Sequence, residues 1–159
     1  QLILMIRGIK KMVIHADSGE ILSLFLNVSF ACDYRIVGDS SVFQFPTLDL
    51  GLVPKGGGIF FMTQKIGESK TLELLFSGKD ITAREALELG LVDKVVPSES
   101  LEEASIQVAR NFARKPMQLI TGVKQLLNFP SGDLAKFLER ENELLFGSIR
   151  SEKFRNRLG

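Results

Sequence analysis

The sequence holds one cysteine, Cys32, and one histidine, His15. A single thiol closes no internal disulfide, which fits a reducing compartment, and the expected location is cytoplasmic. A lone histidine without a second ligand argues against a metal site, and none is expected. No apolar run reaches the ~18 residues that span a bilayer, so no membrane role is expected. Neither sign of charge dominates: 20 Lys and Arg stand against 19 Asp and Glu, for a net charge of +1. That balance removes the electrostatic case for nucleic acid or an anionic membrane surface as a partner. Residues 1–6, Gln-Leu-Ile-Leu-Met-Ile, lack the charged leader and small-residue cleavage site of a signal peptide. The chain opens without Met, directly on an apolar stretch, and an upstream segment is expected.

What is present is an ordinary globular composition, 45% apolar and 25% charged over 159 residues. That is a one-domain length able to bury a real core. The chain is organised around residues 31–58. There a β-rich run, Tyr34–Val37 and then Val42–Phe45, enters a Pro/Gly-punctuated turn that ends in Gly56-Gly57-Gly58. Lys55-Gly56-Gly57-Gly58 is not a P-loop, because its lysine precedes the glycines. The glycines instead suit tight helix packing.

The remaining segments read as elements that cover this unit. Residues 1–11 have apolar residues at helical spacing and predict an amphipathic helix. Met12–Ala16 reads as a short buried strand. Asp17 and Glu20 form a capping-box pattern ahead of a helix over Ile21–Ala31, apolar nearly all round and therefore expected to be buried on most sides. Strands at 34–37 and 42–45 are joined by the Gly38-Asp39-Ser40 turn. Helices follow at Gly58–Ile66, stopped by Gly67, and at Ser69–Phe76, ended by Ser77-Gly78. Thr82 with Glu85 caps a short helix that Gly90 ends, and Leu91–Val96 is a strand. Ser100 with Glu103 caps a helix bearing Leu101, Ala104, Val108, Ala109 and Phe112. The next helix carries Leu119, Ile120, Val123, Leu126 and Leu127. Phe129–Gly132 breaks the chain before a long helix with Leu134, Phe137, Leu138, Leu144 and Leu145. The tail, Arg150–Arg157, is basic. Strand-to-helix alternation places the chain in the α/β class.

Three groups of residues resemble the enoyl-CoA hydratase/isomerase (crotonase) family. They are Ala31-Cys32-Asp33-Tyr34-Arg35-Ile36 with Phe43-Gln44-Phe45-Pro46; Leu50-Gly51-Leu52-Val53-Pro54 with Gly57-Gly58; and Ser77 to Ala83 followed by Ala86 to Pro97. Their order and spacing hold from about residue 12 to 127. The resemblance implies a crotonase-like spiral of ββα units with a helical C-terminal region. Residues 1–130 would be the later part of the core domain. Residues 131–159 would serve trimerisation or cover the active site. It further implies a homotrimer or a hexamer, an acyl-CoA thioester as substrate, and no separate cofactor. The early strands and one of two oxyanion-hole amides would precede Gln1.

The family's shared chemistry turns a thioester carbonyl into an enolate held by two backbone N–H groups. By this resemblance one of them is the amide of Leu24, in Ser23-Leu24-Phe25, where the family usually has a glycine-rich run. The family's two hydratase glutamates fall on Asn27 and Thr47. Neither an amide nor an ordinary hydroxyl transfers a proton near neutral pH, so ordinary enoyl-CoA hydration is not expected. Both can orient water or be satisfied by neighbouring backbone. Where some members carry a carboxylate, this chain has Lys55, which could bind an anion or sit solvated in its turn. Ser23, Pro46, Asp49 and Lys55 complete the expected substrate contacts. His15 and Cys32 read as packing, and Asp33 and Arg35 as local strand anchors. Arg150, Lys153, Arg155 and Arg157 could meet CoA phosphates or form a solvated face. Two readings remain: an acyl-CoA enzyme with altered acid/base groups, or a fold relative that keeps CoA binding or oligomerisation alone.

Overall fold

The structure is a computed structural model that describes residues 1–128, 133–150 and 156. The expected break at Phe129–Gly132, the 130/131 boundary and the tail cations Lys153, Arg155 and Arg157 lie outside the described residues.

Two ββα units follow one another. β1 (Ile14–Asp17) and β2 (Glu20–Leu22) lead into α2 (Ser23–Phe30). β3 (Tyr34–Gly38) and β4 (Val42–Gln44) lead through a long turn into α3 (Gly58–Ser77). The second unit is laid against the first in parallel: β1 pairs with β3 and β2 with β4. β6 (Lys94–Val96) extends the first sheet beyond β3, giving the order β1-β3-β6. β5 (Ile81–Thr82) closes the second, antiparallel to β4. The expected spiral of ββα units is therefore present. The strands on either side of the Gly38 turn are not partners, however. The Ser41 amide closes on the Gly38 carbonyl at 3.1 Å and the Asp39 amide on Val96 at 2.8 Å, which turns the chain from one sheet into the other.

The core lies between the second sheet and α2 and α3, around Ile21, Leu26, Phe30, Phe43, Phe61 and Met62, each at most 5% exposed. α4 (Ala83–Glu88) begins at a capping box. Thr82 accepts from the Glu85 amide while Glu85 accepts from the Thr82 amide, as its sequence predicts. α3 breaks at Gly67, whose φ of +79° suits glycine and few other residues.

Several local expectations are corrected. Asp17 and Glu20 cap no helix: Glu20 belongs to β2, and α2 starts three residues later. α2 is not buried all round, for Leu24 and Phe25 are 54% and 55% exposed. α1 (Leu2–Gly8) ends before Lys10 and buries only Ile3. β1 is half-buried, with His15 opposite Arg35. Of Leu91–Val96 only the last three residues are strand. Ser100 makes no side-chain cap, because α5 (Leu101–Ala113) is entered through a 3-10 turn at Ser98–Ser100.

α6 (Met117–Asn128) buries Lys124, while Leu119, Val123, Leu126 and Leu127 stay exposed. The reason is an ion pair. Lys124 Nζ lies 2.5 Å from Asp33 Oδ2 and donates to the Lys11 carbonyl at 2.7 Å, and Asp33 also accepts from the Val13 amide. Arg35 similarly pairs with Asp93 at 2.5 Å and donates to the Cys32 carbonyl. Asp33 and Arg35 thus anchor β3 to distant segments as well as near ones. Removing one partner of a buried pair strands the other charge. Lys124→Met should therefore cost about 3 kcal/mol. The check is a lower urea midpoint with an unchanged slope, set against the exposed pair variant Lys70→Met, which should move it little.

Candidate functional site

β2 runs into α2 without an intervening turn. Leu22 is both the last residue of the strand and the N-cap of the helix, with φ −68° and ψ 146°. A leucine offers no capping oxygen, so the first turn of α2 has no side-chain cap. This end of the helix carries partial positive charge and presents amide hydrogens. Such an end can stabilise an oxyanion.

Three of the expected site residues meet here. The Ser23 and Thr47 hydroxyls lie 3.2 Å apart, and Asn27 stands one helical turn along, buried. Asn27 Nδ2 donates to the Lys55 carbonyl at 2.7 Å. Ser23, Asn27 and Thr47 share a cavity with Pro54, Gly58 and Met62. Its volume is about 10 Å³, room for roughly one water. A Cβ at Gly58 would strike the Asn27 amide, so a glycine there is what lets α3 begin against α2. Leu24 is exposed and lies over Gly56. The side chains of Pro46, Asp49 and Lys55 are exposed and do not line the cavity.

The sequence reading missed one residue. Glu141, on α7 (Leu134–Ile149), is buried and accepts from the Gly56 amide at 2.7 Å and the Gly57 amide at 3.1 Å. It holds the turn that supplies the Lys55 carbonyl. The signal was there: Glu141 shares one face of α7 with Leu134, Leu138 and Leu145, a charge on an apolar stripe. Burial pushes its carboxyl above the ordinary glutamate range, against the opposing pull of the Gly57 and Gly56 amides and the charge of Lys55.

Comparison with known proteins bears on the whole chain. The sequence profile of the Enoyl-CoA hydratase/isomerase family matches residues 1–157. A probable mitochondrial enoyl-CoA hydratase of Dictyostelium discoideum is 35% identical over 120 residues, which are 76% of this chain and 43% of that protein. A peroxisomal bifunctional enzyme of Cavia porcellus is 37% identical over 125 residues, 79% of this chain and 16% of that one. The solved enoyl-CoA hydratase of Bacillus halodurans superposes with a TM-score of 0.91 at 26% identity, covering 99% of this chain and 63% of its own. The chain thus spans less than two thirds of each of these relatives.

The raised carboxyl of Glu141 has a definite sign in the pH dependence of stability. The folded chain keeps the proton to higher pH than the unfolded chain, so the contribution is full below the unfolded value and is lost as pH rises through the folded one. Wild-type stability should fall from about pH 4.5 upward more steeply than that of Glu141→Gln, which does not titrate. Urea midpoints across that range provide the measurement, and equal slopes for the two proteins would contradict the assignment.

Proposed function

The chain belongs to the enoyl-CoA hydratase/isomerase family, and from that premise we propose that it binds an acyl-CoA thioester and stabilises its enolate with the Leu24 amide, without the two-glutamate hydration mechanism. The observation that carries this reading is the strand-to-helix junction at Leu22–Ser23, where the first turn of a half-exposed helix has no side-chain cap. A thioester oxygen that gains negative charge would be met by an amide hydrogen and the helix dipole together. Asn27 and Thr47 hold hydrogen-bonding positions beside that amide and cannot exchange protons near neutrality. The chemistry left open to such a site is isomerase, hydrolase or decarboxylase chemistry rather than water addition by a carboxylate pair. Ser23, Pro46, Asp49 and Lys55 are proposed substrate contacts. The substrate brings its own CoA, and no further cofactor is needed. A homotrimer or hexamer, with residues 131–159 at its contacts or over the site, belongs to the same proposal. No helix among the described residues is long and apolar enough to cross a membrane.

A second reading has its own support. The Asn27 amide already binds the Lys55 carbonyl, and the cavity beside it admits about one water. Both features suit a family member that keeps the fold for CoA binding or assembly alone.

Calorimetric titration with CoA and with a saturated acyl-CoA, followed by assay on a panel of enoyl-CoA thioesters, separates these readings. The proposal expects saturable binding of the thioester and no hydration. It further expects Leu24→Pro, which deletes the amide in the first turn, to slow solvent exchange of the thioester α-proton, taken up by water or hydroxide, about a hundredfold. Binding without any exchange would favour the second reading. Absence of heat would remove both, and clear hydration would overturn the exclusion of hydratase chemistry.

A further inference from the structure

The other end of α2 opens onto a much larger space. A cavity of about 600 Å³, within the range of small-molecule sites, lies beyond Phe30 and Cys32. Ser23 and Phe30 stand about 10 Å apart along the helix axis, so this space is separate from the one beside Asn27.

Its charge is one-sided. Arg7, Arg35, Lys65, Lys115 and Lys124 line it, against the single carboxylate of Asp33. Lys124 is taken by Asp33, and Arg35 by Asp93 and the Cys32 carbonyl at the helix end. Arg7 and Lys65 have no ion pair or side-chain hydrogen bond among the described residues; Arg7 is half-buried and Lys65 is exposed. The Arg7 guanidinium sits over the Phe61 ring at 5.7 Å, and its Nε is buried with no hydrogen-bond partner among the described residues. Burial lowers the pKa of both groups; Asp33 opposes this at Arg7 and Asp93 at Lys65, while Arg35 lowers both and Arg7 lowers Lys65 further. A half-buried guanidinium among other cations is costly, and an anion would relieve that cost.

The rest of the lining is largely apolar. Because Lys124 turns inward, α6 shows Leu119, Val123 and Leu127 to the cavity, which Phe61 and Phe112 also line. Cations and hydrocarbon lining one cavity are the two halves of a receptor for an amphiphile.

We propose that this cavity is a second binding site, for a small amphiphilic anion whose carboxylate or phosphate head meets Arg7 and Lys65 and whose apolar body lies against Phe61 and the α6 side chains. The site does not depend on the acyl-CoA reading.

The test uses the intact chain and anilinonaphthalene sulfonate, an aromatic anion whose fluorescence reports entry into apolar surroundings. Saturable binding of one probe per chain is expected. Decanoate and decyl phosphate should displace it, and their order distinguishes a fatty acid from a phosphate ester as the source of the head group. Decanol and decyltrimethylammonium should be at least about tenfold weaker. Arg7→Met and Lys65→Met should each weaken the probe about tenfold, with Lys65→Arg restoring most of it. Decanol competing as well as decanoate would overturn the proposal, as would unchanged affinity in both folded Met variants. Competitive displacement by acetyl-CoA would also overturn it, because the space would then be the thioester's own seat. Should a Met variant fail to fold, the ligand series on the unmodified chain still decides.

Discussion

Much of this fold depends on one missing side chain. Any Cβ at Gly58 would meet the Asn27 amide, and with only hydrogen there the start of α3 settles against the middle of α2. Asn27 can then reach the Lys55 carbonyl, while Glu141 takes the Gly56 and Gly57 amides on the far side of the same turn. Three residues of loop are thereby gripped by two helices that are remote in sequence. The grip uses a carboxyl acceptor in a buried place, where backbone amides left without partners would be costly. Core packing of Phe61 and Met62 follows from it, because the first turn of α3 fixes where those side chains fall.

The sequence was most legible where local chemistry and tertiary need agree. Thr82 and Glu85 cap as their spacing requires, and Gly67 interrupts α3 where it should. It was least legible where a strand and a helix meet without punctuation. Ile21 and Leu22 looked like the start of a helix because both suit either state, and only pairing with β4 decides for strand. The α6 stripe misled for a related reason. Apolar spacing marks a face, but an ion pair between Lys124 and Asp33 chose which face turned inward.

The candidate site divides the same way. Its membership in an acyl-CoA-processing family was readable from motif order, and the profile match agrees. Ser23, Asn27 and Thr47 do converge, while Pro46, Asp49 and Lys55 stay at the surface of the turn. Glu141 showed in the sequence only as a charge on the apolar stripe of α7; its partners are backbone amides, which leave no mark in a sequence. The charges around Arg7 and Lys65 were equally hidden, since a balanced composition says nothing about where like charges collect.

The parallel ladder also shapes the order of assembly. Ile36 and its neighbours in β3 wait for Lys94–Val96, so one edge of the central strand stays bare until the chain has made α3, α4 and everything between. A chain growing from the ribosome exposes that apolar edge throughout the interval. Charged residues stand at both ends of the exposed stretch, Arg35 within β3 and Asp39 just past it, and they blunt the edge against joining a neighbouring nascent chain.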